Sequence, residues 1–296
     1  MILAAIDIGS NAARLLISEA VPYKGGGVDY TKLTLLRIPL RLGFDVFENG
    51  FISPEKQKQM VDTMKAYKLL MDIYKVEHYR ACATSAMRDA TNGQEIIRNI
   101  EKETGIRIEI IGGQEEASIL YETHIAENLG DNKPSLYIDV GGGSTEVTLF
   151  ADNRIVFKES FNIGTIRLLN KSVTEEQWEH MKWYIKTYTA GYPSLCAIGS
   201  GGNINKIFSL SKKKEGKPLP LEVLKDYYRE LSASTVEERM HLYNFRADRA
   251  DVIVPALQIY IAVMRWCRAD EIYVPRIGLA DGLIRMQYAQ KNGQSL

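Results

Sequence analysis

Apolar and polar positions fall into blocks along the chain, and most blocks read as short strands that run into glycine-bearing turns. Residues 3–6 are continuously apolar and reach Asp7; Ile8, Gly9, Ser10 and Asn11 follow, and residues 15–18 resume a strand pattern that begins just after Arg14. Residues 24–27 form a glycine-rich turn, and residues 30–42 read as a further strand carrying Arg37 and Arg41. Ser53-Pro54-Glu55 is a helix start, with an N-cap, a proline at the first position and an early acid. Met60, Met64, Tyr67 and Met71 then recur at helical spacing and predict a buried stripe. A strand over 79–84 delivers Thr84, Ser85 and Arg88 to its far end, and a helix is expected over 94–103. A strand over 107–111 ends in Gly112-Gly113-Gln114-Glu115-Glu116, which opens a helix through about Asn128. Two acids in that first turn complement the helix dipole.

The stretch 135–150, SLYIDVGGGSTEVTLF, is the densest in chemistry. It reads as strand, turn, strand, with Asp139 at the strand end, then Gly141, Gly142 and Gly143, then Ser144, Thr145 and Glu146. Glycines let the backbone turn tightly and approach a ligand, and successive exposed N–H groups form a nest for phosphate oxygens. Asp139 suits a hydrated Mg²⁺, which prefers oxygen ligands and keeps its waters. The hydroxyls add donors, and Glu146 adds a second carboxylate for metal or water. The first hairpin, Asp7 to Asn11, echoes this order. Two hairpins of phosphate type in one chain point to two halves of one design, each bringing an aspartate to a shared cleft.

Farther along, residues 154–160 read as strand, and Asn162-Ile163-Gly164-Thr165 leads into Arg167. Thr174 with Gln177 is a capping box, and Trp178, Met181, Ile185 and Tyr188 are the expected buried stripe of the following helix. A strand over 195–198 enters Gly199-Ser200-Gly201-Gly202-Asn203, a third glycine turn placed before a helix and suited to anions there. It is not a G-x-G-x-x-G motif, because Ile204 stands at the last glycine position, and no G-x-x-x-x-G-K-[ST] occurs. Lys212 to Lys214 reads as a solvated loop. Helices are expected over 222–231 and 255–268, the latter preceded by a charged run from Arg246 to Asp251 that caps or locks it. Residues 272–274 read as strand, and the turn 277–282 opens a last helix. The polar link 130–134 breaks the pattern, so the chain divides between Tyr121 and Ser135 into domains 1–124 and 125–296.

Composition narrows the partners. Of 296 residues, 45% are apolar and 25% charged, which predicts a globular protein with a full core. Lysine plus arginine equals aspartate plus glutamate, 37 and 37, so net charge gives no sign of nucleic acid or an anionic membrane. A polyanionic substrate would need a local basic patch. Cys82, Cys196 and Cys267 form no C-x-x-C pair and read as free thiols in a reducing compartment. No signal peptide or bilayer-spanning run is evident, and a cytoplasmic location is expected.

These residues together resemble the exopolyphosphatase/guanosine pentaphosphate phosphatase (Ppx/GppA) family. The matching segments are Ala5 to Asn11, Ala83 to Arg88, Gly113 to Ala117, Ile138 to Glu146 and Gly199 to Gly202, in family order over essentially the whole chain. The resemblance implies an α/β, duplicated actin-like and sugar-kinase-like (ribonuclease H-like) fold of two domains with a cleft between them. It implies Mg²⁺-dependent removal of terminal phosphate from inorganic polyphosphate, or of the γ-phosphate from guanosine pentaphosphate. It also implies a homodimer, and assigns Glu116 as the catalytic base. Longer members carry a C-terminal region of the HD type that holds long polyphosphate. This sequence stops soon after Asp281-Gly282, so short chains or the nucleotide are the expected substrates. The family often has Arg-Glu where Ala280-Asp281 stands here, which bears on the last helix.

Combined with that resemblance, the residues take these expected roles. The N–H groups of Gly9, Ser10, Gly141, Gly142 and Gly143 cradle terminal phosphates; Asn11, Ser144 and Arg88 hold oxygens. Gly201 belongs to the third turn. Asp139, with Asp7, positions Mg²⁺. Glu116 takes a proton from the attacking water, and Glu146 is a second metal contact or an alternative base. Arg14, Arg37, Arg41 and Arg167 are candidates for the anionic tail. Two other functions use the same residues: an ATP-dependent kinase or ATPase of the same superfold, told apart by its nucleotide dependence, and a non-hydrolysing sensor of polyphosphate or an alarmone, told apart by binding without phosphate release.

Overall fold

The computed structural model describes residues 1–25, 27–121, 133–152 and 154–292. The chain divides into two compact units, Met1–Thr123 with Gly278–Leu296, and His124–Ile277. The first holds a five-stranded sheet in the order β3-β2-β1-β4-β5, with β1 (Ile2–Ile8), β2 (Ala13–Pro22), β3 (Val28–Ile38), β4 (His78–Ala83) and β5 (Glu109–Ile110). Strands β1 to β3 form an antiparallel meander, while β4 and β5 join parallel to β1.

The second unit repeats the plan. Its strands are β6 (Ser135–Val140), β7 (Thr145–Ala151), β8 (Arg154–Phe161), β9 (Cys196–Ser200), β10 (Leu219–Pro220) and β11 (Glu271–Tyr273). Read from the other edge, the order is β8-β7-β6-β9-β11-β10: an antiparallel meander followed by two parallel strands, with β10 added antiparallel. This is the duplicated α/β arrangement that the two hairpins foretell.

Period-two alternation places the core on both faces of each sheet. On β1, Ala4, Ile6 and Ile8 pack with Met60, Met64, Tyr67 and Met71 of the helix Pro54–Ile73, so the expected stripe is core. Each such apolar side chain contributes roughly 1.5–3 kcal/mol when fully buried. The other face of β1, Leu3 and Ala5, packs with Ile119 and with Leu279, Leu283, Ile284 and Tyr288 of the helix Leu279–Lys291. That contact draws the C-terminal helix back to the first unit, whereas a division at residue 124 groups it with the second half. In the second unit Leu136, Ile138 and Val140 of β6 pack with Met181, Ile185, Leu257 and Ile261.

Local chemistry departs from the sequence expectation at several points. The strand over 30–42 stops at Ile38, and Leu42–Asn49 is a helix entered through Arg41 at φ 53°. Ser53 stands at the N-cap of its helix without a side-chain cap; its N–H instead donates to Asp45 Oδ2 at 2.9 Å. The strand over 107–111 is only Glu109–Ile110, because only Cys82 and Ala83 pair with it. Thr174–Gln177 makes the expected capping box, and a second one, Thr235–Glu238, starts an unexpected helix Val236–Tyr243. In the Glu175–Thr189 helix only Met181 and Ile185 of the predicted stripe are fully buried. Tyr188 is 41% exposed and lies 4.5 Å from Tyr184 and 5.4 Å from Phe157 between ring centroids, at the rim of an aromatic cluster. The helix expected to reach Asn128 is described to Tyr121; its remainder lies outside the described residues.

One stretch, Ala247–Cys267, is long and apolar enough for a membrane span by length and composition alone. Most of it is buried, and the helix Ile253–Cys267 within it supplies much of the second core. Cys82 and Cys267 are buried free thiols, and Cys196 is half-buried. Burial pushes the Cys82 thiol up to about 12 and that of Cys267 up to about 11. The unfolded chain loses these protons first, so both groups stabilise the fold fully below about pH 9. That contribution fades as pH rises through 11 and 12. Native protein is therefore expected to resist iodoacetamide at Cys82 and Cys267 at about pH 8, and to react at both once denatured. Rapid native labelling, read by mass spectrometry, would contradict this.

Candidate active site

Each unit carries the same four-residue loop between its first two strands. In the first, the Gly9 N–H donates to Ala12 O at 3.0 Å; in the second, the Gly141 N–H donates to Ser144 O at 2.9 Å. Both amides therefore close a turn, and neither is available to cradle a phosphate as the sequence suggested. The N–H groups that the second loop leaves without a backbone acceptor among the described residues are those of Gly142, Gly143 and Ser144. Their own unit fixes this loop from behind. Thr165 N–H donates to Gly141 O at 3.0 Å, Ile166 N–H to Gly142 O at 2.8 Å, and Arg167 Nε to Gly143 O at 2.8 Å. Arg167, a candidate for the anionic tail, thus holds the glycine turn.

Gly164 backs directly onto this loop. A Cβ there would stand 2.5 Å from the Gly142 carbonyl carbon and oxygen and from the Gly143 carbonyl carbon. Gly164→Ala is expected to displace the loop and destabilise the fold by about 1–3 kcal/mol, as overpacking does. Urea denaturation measures it; an unchanged midpoint would mean that the loop yields freely.

At the rim of the turn, Asp139 and Glu146 stand directly opposite on β6 and β7. Glu146 is 3% exposed and accepts a hydrogen bond from Ser160 Oγ at 2.8 Å. The third glycine turn lies alongside. Gly201, at φ 109°, adopts a left-handed backbone, and a Cβ on it would meet Asp139 Oδ1 at 3.0 Å and Val140 O at 3.3 Å. Its glycine thus leaves room beside the Asp139 carboxylate. The buried Tyr260 hydroxyl donates to Ser200 O in the same turn. Burial foremost, then the charge of Asp139, raises the Tyr260 pKa well above the ordinary phenol value, so it acts as a fixed donor.

The sequence missed Arg249, which it assigned to a capping run. Arg249 Nη1 donates to Asn203 Oδ1 at 2.9 Å, and its guanidinium occupies the space that a Cβ on Gly202 would need, at 2.9 Å. It therefore stands at the N-terminus of the helix Gly202–Leu210. The signal was present as a basic residue in the Arg246–Asp251 run, but the 46-residue separation from Asn203 carries no local mark.

In the first unit, Asp7 is buried and Arg14 Nη1 donates to its Oδ2 at 2.6 Å across the β1–β2 ladder. The predicted metal ligand and the predicted tail contact are thus each other's partners. Ser10 Oγ and Ser85 Oγ, both buried, lie 2.8 Å apart. The loop is held by Gly43 N–H on Ser10 O at 2.8 Å and Arg41 N–H on Asn11 O at 2.9 Å. Arg41 stacks its guanidinium 4.1 Å from the Phe44 ring centre, and Arg37 faces Arg14 across the β2–β3 ladder. Arg88 Nη1 donates to Ile111 O at 3.0 Å. Glu116, in the first turn of the helix Gly113–Tyr121, is 8% exposed.

The oxygen donors of Asp139 and Glu146, facing each other across the ladder, fit a hard, hydrated cation. Open amides, and a helix N-terminus with a guanidinium at it, fit an anion.

A family model for the Ppx/GppA phosphatase family matches residues 24–290. Exopolyphosphatase 1 of Mycobacterium bovis is 24% identical over 305 residues, covering 96% of this chain and 87% of the relative. Guanosine-5'-triphosphate,3'-diphosphate pyrophosphatase of Vibrio parahaemolyticus is 24% identical over 294 residues, covering 95% of this chain and 58% of the relative. The bifunctional 3-dehydroquinate synthase/phosphatase of Fusobacterium nucleatum is 37% identical over 172 residues, or 57% of this chain, and the match spans 26% of that longer protein. Among solved structures, an exopolyphosphatase from Cytophaga hutchinsonii superposes with a TM-score of 0.83 at 26% identity, covering 100% of this chain and 99% of that one.

Proposed function

This chain belongs to the Ppx/GppA phosphatase family, and on that premise we propose that it is a phosphohydrolase releasing terminal orthophosphate from inorganic polyphosphate, the γ-phosphate of guanosine pentaphosphate, or both. The observation that carries the proposal is the second-unit loop: three open amides beside the facing pair Asp139 and Glu146. Phosphoryl transfer asks a protein mainly for positioning and for charge on the phosphate oxygens, and this loop offers both.

The roles follow from the groups. The N–H groups of Gly142, Gly143 and Ser144 donate to the oxygens of the terminal phosphate. Arg249 and the N-terminus of the helix Gly202–Leu210 take oxygens of the phosphate behind it, with a planar guanidinium fork. Asp139 and Glu146 would hold Mg²⁺, which when bound would supply positive charge to the site. Asp7 is the weaker candidate because Arg14 already neutralises it. Glu116 accepts the proton of a water whose oxygen bonds to the terminal phosphorus. The bridging P–O bond breaks, and its electron pair leaves with the shortened chain.

Phosphate release with Mg²⁺ from short polyphosphate, long polyphosphate, guanosine pentaphosphate and ATP tests the proposal. Release from one of the first three is expected. Tight binding of polyphosphate or pentaphosphate without release would instead favour a sensor, and phosphoryl transfer that requires ADP would favour a kinase.

A further inference from the structure

We propose that Arg80 is a positioning residue for Glu116, acting through Glu115; the inference rests on the base role given to Glu116 above. The helix that carries Glu116 opens on Gly112 and Gly113, whose missing side chains leave the turn nothing of its own to pack. Two arginines secure it instead. Before the glycines, Arg88 Nη1 donates to Ile111 O at 3.0 Å, while the Ile111 N–H donates to Ala83 O at 3.0 Å. After them, Arg80 Nη2 donates to Glu115 Oε1 at 2.9 Å.

Arg80 is itself held. It sits on β4, its side chain is 18% exposed, and its Nη2 and Nε donate to Glu109 Oε2 at 2.8 and 3.1 Å. Glu109 lies on β5, so the guanidinium ties the sheet edge to the first turn of the helix. Neighbouring helical residues are rotated by about 100° along one rigid turn. Fixing Glu115 to the sheet therefore fixes the direction in which Glu116 leaves the helix. Half-exposed carboxylates contribute little to global stability through such pairs. The same pairs govern geometry, where about 1 Å of displacement costs up to roughly 10² in rate. The two adjacent acids thus divide the work: Glu115 anchors and Glu116 reacts.

The test compares Arg80→Met, Glu115→Gln, the double variant, Arg80→Lys and Glu116→Gln with wild type. Phosphate release from polyphosphate gives kcat and KM, and Tm is recorded alongside. Each of Arg80→Met and Glu115→Gln is expected to lower kcat about 5–20-fold with KM within twofold and Tm nearly unchanged. The double variant is expected to be no slower than the slower single, because Arg80→Met removes and Glu115→Gln discharges one and the same link. Arg80→Lys is expected to recover part of the loss. Wild-type kcat in Arg80→Met and Glu115→Gln, with Glu116→Gln inactive, overturns this inference alone. Independent, multiplying losses in the double variant overturn it as well. Full turnover by Glu116→Gln removes the underlying assignment instead. Glu115→Gln keeps the side-chain shape and decides the matter should Arg80→Met fail to fold.

Discussion

Glu116→Gln is expected to lower kcat for phosphate release by about 10²–10⁴, the range in which general bases act. Glu116 is 8% exposed in the first turn of its helix, and its N–H donates to Gly112 O at 3.0 Å, so the backbone places the side chain independently of its charge. Glutamine keeps the shape and the carbonyl acceptor but cannot take up a proton from water. The loss should therefore fall on kcat, with KM within a few-fold of wild type, since substrate binding uses other groups. Glu116→Ala is expected to be equally slow and to regain activity partly in formate, which supplies a small diffusible carboxylate. Steady-state release assays measure both. Full turnover by the glutamine variant would transfer the base role to another carboxylate, and Glu146 is the first to test.

Asp139→Asn is expected to lower activity by at least about 10² at fixed Mg²⁺, because a divalent cation supplies several kcal/mol of charge stabilisation to phosphoryl transfer. Asp139 faces Glu146 across the ladder, and the space beside its Oδ1 exists because residue 201 is glycine. The amide keeps the size and removes the charge, so the Mg²⁺ concentration for half-activation should rise more than tenfold. Raising Mg²⁺ should restore part of the rate. Gly201→Ala is the complementary change: its Cβ crowds the Asp139 carboxylate at 3.0 Å and also strains a backbone at φ 109°. Titrating activity with Mg²⁺ measures the shift, and an unchanged midpoint in Asp139→Asn would place the cation elsewhere.

The strand, aspartate and glycine-turn order of both hairpins was legible in the sequence because each element is local: an apolar run, one acid and glycines at the turn. The capping box at Thr174 and the Met60–Met71 stripe were legible for the same reason, since their periods lie within one helix. Which amides stay open was not. Gly9 and Gly141 close their loops, and only the hydrogen bond to a carbonyl three residues on separates them from Gly142 and Gly143. Arg249 was missed because its contact with Asn203 joins distant parts of the chain. The C-terminal helix has an ordinary amphipathic stripe. Nothing in Leu279, Leu283 and Ile284 says that they pack on Leu3 and Ala5. In sequence Arg14 is a candidate for the anionic tail, and only the β1–β2 register sets it opposite Asp7.

The most direct measurement of the central claim follows the oxygen of the attacking water. The protein is incubated with Mg²⁺ and polyphosphate or guanosine pentaphosphate in ¹⁸O-labelled water, and the released orthophosphate is read by ³¹P NMR or mass spectrometry. One ¹⁸O per released phosphate, with none in the shortened chain or the guanosine tetraphosphate, and loss of the signal in Glu116→Gln, is the predicted result. Label retained in the shortened product, or no release from either substrate, would contradict water attack at the terminal phosphorus.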